Sequence, residues 1–242
     1  MTSIPFNVRA WAAWCGGQEV RSGPDDTGFD ATPPPVVLRR RVSPIGQRAL
    51  KAAWQLPDSA SARLVFSSRQ GEFNRTLSIL DAIGAGAEVS PADFTLSVHN
   101  ALAGLLSIAR RNREGHTTVA AGPESFGFAM IEAVALLTEN PARPVVLVHF
   151  EEPMPAPYDA LDIPPPEPIG LAMSLAVADG GDALNADTCL PLNLTVTPRT
   201  GPRTGYPNLA GDFLRFLMAG DLAVTVSGDR FTWLWRRSDA LA

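Results

Sequence analysis

Cysteine, histidine, a surplus of positive charge and long apolar runs are all scarce in this sequence of 242 residues, and each shortage removes a class of function. The two cysteines, Cys15 and Cys189, lie far apart and outside any CxxC or Cys/His spacing. That excludes a disulfide framework and a structural zinc site, and predicts free thiols in a reducing compartment. Three histidines, at 99, 116 and 149, are spread too widely to converge on a metal by spacing alone, so no metal or other cofactor is expected. Net charge is −5; without a basic face, nucleic acid is a poor partner. The longest apolar run, IGLAMSLAVA (169–178), is about half what a membrane helix needs. The N-terminal MTSIPFNVRAWAAW has no basic stretch leading into a continuous apolar one, so it does not read as a signal peptide. The expectation is a cytoplasmic protein with no membrane span.

What is present supports a sizeable core: 45% of residues are hydrophobic and 19% charged. FNVRAWAAW (6–14) reads as a first strand, followed by a Gly/Pro/Asp-rich loop from Gly16 to Pro35. VVLRRR then extends or restarts a strand, and SPIGQRALKAAWQL holds a short helix. RLVFSS (63–68) is a buried strand. FNRTLSILDAIGAG (73–86) places Phe73, Leu77, Leu80 and Ile83 at helical spacing, with Gly84 and Gly86 ending it. SPADF (90–94) opens a long helical segment through TLSVHNALAGLLSIARR (95–111). TTVAA (117–121) is a strand, FGFAMIEAVALL a strongly apolar helix, and VVLVHF (145–150) a strand covered on both faces. This alternation over 63–150 predicts an α/β domain with a mainly parallel sheet and helices on both faces. The Pro-rich stretch 151–168 reads as a surface loop. After it come IGLAMSLAVA, LPLNLTVTP, the helix AGDFLRFLMAG and a hairpin, LAVTVSGDRFTWLW. These most simply complete the same sheet, giving one domain over 1–242.

The chemically suggestive stretch is GPESFGFAMIEA (122–133), where a strand turns sharply into a helix. A helix N-terminus presents unpaired N–H groups that steady a thiolate, alkoxide or anion. The serine-hydrolase elbow G-x-S-x-G sets Ser125 in the nucleophile place, but Pro123 replaces its first glycine. The only later histidine, His149, lies one helix away with no acid between. On the helical segment, His99 lacks an acidic or cysteine partner at a helical offset and reads as a core residue; His116, in a Gly-His turn, reads as a surface one. The runs Arg39-Arg40-Arg41 and Arg110, Arg111, Arg113 read as solvated charge at element ends, or as docking points for an acidic protein.

From about Arg63 to Glu152 the succession of segments resembles the N-terminal half of a β-ketoacyl-acyl-carrier-protein synthase, in the thiolase-like fold. The residues that carry the resemblance are SPADFTLSVHNALAG, ARRNREGHTTVAAGPESFGFAMIEAVALL and PVVLVHFEE. His99, Asn100 and Gly104 stand on the helix where that family has Asn-Ala-x-x-Gly. Gly127 matches the elbow glycine, and Glu124 then falls at the position of the family's nucleophilic cysteine; a shift of one residue puts Ser125 there. A carboxylate is a poor thioester-forming nucleophile. No histidine follows His149, and the chain is too short for both halves of a ketosynthase. The resemblance therefore implies a chain-length factor of the short kind associated with aryl-polyene synthesis. Such a subunit would be non-catalytic and paired as a heterodimer with an active β-ketoacyl-ACP synthase, with acyl carrier protein reaching it through that partner. It implies Thr117, Thr118, Val119, Ala120 and Ala121 as the interface strand. Glu124, Ser125, Phe126, Gly127, Phe128 and Met130 are implied as elbow and tunnel residues. Two other readings stay open: a hydrolase or acyltransferase using Ser125, and a purely structural scaffold of a synthase complex.

Overall fold

The computed structural model describes residues 3–23, 29–39, 42–161, 166–178, 189–201 and 208–238. Among these residues nine strands form one sheet: β1 (Ser3–Cys15), β2 (Gln18–Ser22), β3 (Arg63–Ser67), β4 (His116–Val119), β5 (Val145–Glu151), β6 (Ile169–Ala176), β7 (Leu190–Pro198), β8 (Ala223–Ser227) and β9 (Phe231–Arg237). Their order is β4-β3-β5-β6-β1-β7-β9-β8, with β2 paired to the far end of β1. Seven α-helices among the described residues accompany them: α1 (Val36–Arg39), α2 (Pro44–Gln55), α3 (Phe73–Gly84), α4 (Pro91–Leu96), α5 (Ala101–Arg110), α6 (Ser125–Glu139) and α7 (Leu209–Ala219).

The parallel portion expected over 63–150 is present as β4-β3-β5. The balance of the whole sheet is different from mainly parallel: the other six pairings are antiparallel. The reason is β1. This strand of 13 residues lies in the middle, pairing with β6 on one side and with β7 and then β2 on the other. Its alternation changes parity part-way. Phe6 and Val8 face one core, whereas Ala10 and Ala12 face the opposite one. The switch is a bulge at Arg9, where the register with β6 shifts between Val8 and Ala10.

Two helical layers cover the sheet. Leu64, Phe66, Val146, Val148 and Phe150 pack with Ala49, Ala53, Leu102 and Leu106 of α2 and α5. Val65, Val145, Leu147, Leu171 and Met173 point the other way, to Phe126, Met130 and Ala133 of α6 and Phe213 and Leu217 of α7. Small residues let the helices approach. A Cβ on Gly170 of β6 would lie 3.1 Å from the Ala49 backbone nitrogen, and one on Gly127 of α6 within 2.6–2.7 Å of the Trp233 indole. At the start of α2, Ser43 Oγ accepts from Gly46 N–H at 3.1 Å. Its own N–H and hydroxyl donate to the buried Glu72 carboxylate at 3.1 and 2.7 Å.

Three local expectations change. VVLRRR does not extend a strand: its described residues form α1, because Pro33-Pro34-Pro35 before it cannot donate to a ladder and the chain turns at once, Leu38 N–H bonding Pro35 O. Arg40 and Arg41 lie outside the described residues. Gly16 and Gly17 begin no long loop; both have positive φ (58° and 81°) and make the two-residue turn of the β1–β2 hairpin. The helical segment 95–111 is two helices, α4 and α5, with the link Ser97–Asn100 between them. Of the Pro-rich stretch 151–168, residues 162–165 lie outside the described residues; Tyr158–Leu161 form a 3-10 turn.

Gly127 and Gly104 make opposite demands. The buried Gly127 faces the fully enclosed Trp233, while a Cβ on Gly104 meets nothing. Gly127→Ala should therefore cost about 1–3 kcal/mol by overpacking, and Gly104→Ala should gain about 0.5–1 kcal/mol of helix propensity. Urea unfolding of the two variants checks both signs.

Candidate functional site

The elbow is built from backbone constraints. β4 ends at Val119, and the chain turns at Gly122, whose φ of 63° suits glycine. Pro123 follows, Glu124 occupies the cap position of α6, and Ser125 is its first residue. Ser125 braces the turn: its Oγ accepts from Ala121 N–H at 2.9 Å and donates to Gly122 O at 2.7 Å. That hydroxyl proton goes to a carbonyl and not to a base.

Glu124 is buried, at 1% exposure. Its side chain crosses to the β8–β9 hairpin, where two donors meet each oxygen. Oε1 accepts from Phe231 N–H and Trp233 Nε1–H, both at 3.0 Å. Oε2 accepts from Arg230 N–H and Nε–H, both at 3.2 Å. A carboxylate has about four lone-pair sites, so none is left over. Gly228, in the hairpin turn, sits so close that a Cβ there would lie 2.2 Å from Glu124 Oε1.

The next side chain opens elsewhere. Ser125 and Phe126 line a pocket of about 250 Å³ on the other side of the elbow. Its wall includes Arg69 after β3, His149 and Glu151 of β5, Ile169 of β6, and Leu209 and Arg215 of α7. The His149 ring is 5% exposed. It packs edge-on against Phe126 with centroids 5.4 Å apart, and its Nδ1 lies 2.8 Å from Ser67 Oγ. Burial pushes its pKa down to about 3, so the imidazole is neutral near pH 7. Glu151 accepts from Arg69 N–H at 2.8 Å. Cys15 pairs with Ile169 in the neighbouring strand. Burial is the largest influence raising its thiol pKa; Glu167 adds to this and Arg215 opposes it.

The other residues singled out in sequence fall in two places. Phe126 and Met130 are buried in the core beneath the sheet. Phe128 is half-buried between Phe231 and Trp233, with the Arg230 guanidinium 5.0 Å from its ring. On the opposite side, β4 is an edge strand that pairs with β3 alone among the described residues. Beside it, His99, Asn100, His116, Thr118 and Ala120 line an open hollow of about 360 Å³. His99 is not on a helix face: it sits in the α4–α5 link, its ring against Gly71, whose φ is +62°. Arg110 is used internally, paired with Asp30 at 2.8 Å and stacked on Trp54. Sequence reasoning missed Arg69, Glu151 and the Gly228–Trp233 clasp. The clasp had one visible signal, a hairpin turn rich in Gly and Asp followed by alternating aromatics.

A mixed sheet between two helical layers, with a strand–turn–helix elbow after its edge strand, is the thiolase-like condensing-enzyme architecture. The chain belongs to the β-ketoacyl synthase N-terminal domain family, whose profile matches residues 11–236. Among solved structures it resembles a chain of the ketosynthase ApeO in complex with its chain length factor ApeC from Xenorhabdus doucetiae. The TM-score is 0.78 at 25% identity, over 96% of this chain and 99% of that one. The ishigamide ketosynthase/chain length factor matches with a TM-score of 0.56 at 17% identity, over 81% and 67% of the two chains. A type II acyl-carrier protein complex with its ketosynthase (AntDE:AntF) matches at 0.58 and 13%, over 82% and 70%. No curated protein matches the sequence. Among the described residues, no helix is long and apolar enough to cross a membrane, and no group of three or more His, Cys, Asp or Glu converges as a metal site.

Removing the Glu124 carboxylate strands buried donors. Glu124→Ala should cost about 3–5 kcal/mol, and Glu124→Gln, which keeps one acceptor, about 1–3 kcal/mol. Arg230→Ala should cost no more than about 1 kcal/mol, because that side chain is 61% exposed. Urea midpoints of the three variants give the ranking.

His149 sets a pH dependence. Its folded pKa is depressed, so the unfolded chain binds more protons between pH 6.5 and about 3. The stabilisation is complete above pH 6.5 and declines as pH falls through that window, by up to about 1.4 kcal/mol per pH unit. Comparing wild type with His149→Gln at a series of pH values should show the gap shrinking on acidification.

Proposed function

We propose that this protein is a non-catalytic chain-length factor, which pairs with an active β-ketoacyl-ACP synthase in the cytoplasm and forms part of the wall around the growing acyl chain. The observation that carries this reading is Glu124. At the elbow where the family mounts its nucleophile stands a carboxylate with every lone pair engaged by the C-terminal hairpin. Condensation then belongs to the partner, with acyl carrier protein delivering the chain through it. The likeness to the ApeO–ApeC complex, over nearly all of a chain of matching length, supports the same assignment. The Ser125 hydrolase reading loses its footing, since Ser125 donates to a backbone carbonyl and His149 Nδ1 is engaged by Ser67.

The surface suited to the partner runs from the β4 edge over the helices beside it. A strand with an unpaired edge is a template for another chain. α5, α4 and α3 pack in succession beside it. They expose Ile108 (76%), Phe94 (64%) and Ile83 (60%) to solvent, more apolar surface than scattered single residues explain. Asn100, Gly104 and Ile108 recur at helical spacing on the face of α5 opposite its buried Leu102 and Leu106. In this reading Gly104 keeps that face low for the partner.

Co-expression with the adjacent ketosynthase, with a tag on one partner, tests the assignment. The expected result is a 1:1 complex on size exclusion, with this chain aggregating when made alone. Gly104→Leu should lower complex affinity about tenfold or more while leaving unfolding stability intact. A well-behaved monomer that ignores the ketosynthase overturns the proposal.

A further inference from the structure

Among the described residues the sheet is open at both ends. β8 lies at the end opposite β4 and pairs with β9 alone. Arg237 N–H donates to Leu222 O just before this strand, and Gly228 N–H donates to Phe231 O just after it. Antiparallel bonding alternates along a strand, so Val224 and Val226 turn their N–H and C=O groups to β9 in the same way. Ala223, Thr225 and Ser227 turn theirs outward, where no described strand meets them. All three residues are exposed as well.

Nothing in the strand guards this edge. Ala223–Ser227 holds no charge, proline or glycine, and its register with β9 runs without a bulge. Sheets commonly blunt an edge with such devices. The strand is also its own complement. Antiparallel pairing about a two-fold axis at Thr225 sets Thr225 against Thr225 and Ala223 against Ser227, so every outward N–H meets an outward C=O. Threonine opposite threonine is a favourable cross-strand pair. The exposed Leu222 then falls against Gly228 of the other copy. The charges agree with the same axis. It brings Asp221 of each copy to the end that carries the largely exposed Arg230 in the other, and Asp229 to the end that carries Arg236.

We propose that β8 is a second association surface, through which two copies of this chain pair edge to edge about a two-fold axis at Thr225 and share one continuous sheet. The surface lies at the opposite end of the sheet from β4 and does not depend on the ketosynthase assignment. With a ketosynthase on each β4 edge, the product is a pair of heterodimers joined through this chain.

Sedimentation equilibrium of the full chain, as its ketosynthase complex if it purifies that way, tests this over a series of concentrations. The mass should double as concentration rises. Thr225→Pro removes an outward N–H that β9 does not use, and Thr225→Lys sets like charges face to face. Each should raise the dissociation constant about tenfold or more; the second keeps the test valid if the first unfolds. Two double variants read the register. Ala223→Glu with Ser227→Lys places opposite charges across the axis and should keep the copies paired. Ala223→Glu with Ser227→Glu places like charges there and should weaken pairing about tenfold relative to it. A mass that stays undoubled at every concentration, doubling that survives both Thr225 variants, or equal behaviour of the two double variants overturns the proposal. Doubling that is lost in Gly104→Leu and kept in the β8 variants puts the copies on the β4 edge and overturns it too.

Discussion

The Glu124 carboxylate ties the elbow in the middle of the chain to the β8–β9 hairpin. Charge buried to this degree costs several kcal/mol unless it is fully hydrogen-bonded. Here the donors come from Arg230, Phe231 and Trp233, more than 100 residues further along the chain. Satisfying Glu124 therefore fixes where the β8–β9 hairpin lies, and with it the stacked Trp233 and Trp235. Those rings fill the layer between α6 and α7 together with Phe126, Phe128 and Phe213. Gly127 and Gly228 are glycines because the clasp leaves no room for a Cβ at either position. One polar interaction thus dictates packing on both sides of the elbow.

The sheet divides its labour between centre and edge. β1 has strands on both sides, and its bulge at Arg9 changes which residues face each core while that arginine reaches Asp58 at 3.3 Å. β4 has the opposite character. It has four residues, only half-buried beyond His116, and one side that pairs with no strand among the described residues. Helices next to it expose Ile83, Phe94 and Ile108. A stable interior beside an unfinished edge is the arrangement expected when one subunit's sheet is completed by another's.

The order of helices and strands from Arg63 to Glu151 was legible because each segment keeps one period and ends in its own punctuation, such as Ser90-Pro91 or Asn140-Pro141. That Glu124 lies at a strand-to-helix turn was legible for the same reason. Its geometry was not: nothing local in PESF indicates that Glu124 turns toward a hairpin a hundred residues away. The bulge in β1 was hidden because FNVRAWAAW mixes apolar residues of both parities. The break at Ser97–Asn100 was hidden because Leu96, Val98 and Leu102 keep an apolar rhythm across it. The Gly16-Gly17 hairpin was readable and was masked by the loop-forming residues that follow. Long-range antiparallel pairing between β1 and β6 has no sequence signature at all.

Glu124 and Ser125 are adjacent, yet one faces the hairpin and the other the pocket, since successive residues in a helical turn point about 100° apart. That divergence separates what the elbow needs to fold from what an elbow needs to react. The turn needs a positive φ at Gly122 and a brace for its amides, and Gly122 and Ser125 provide these. Reaction would need a nucleophile with a free lone pair beside a base. Glu124 has no free lone pair, and the neutral His149 is turned onto Ser67. The elbow persists because it is the structural joint between the edge strand and the C-terminal hairpin. A joint of that kind has a physical reason to keep its shape whether or not it carries out chemistry.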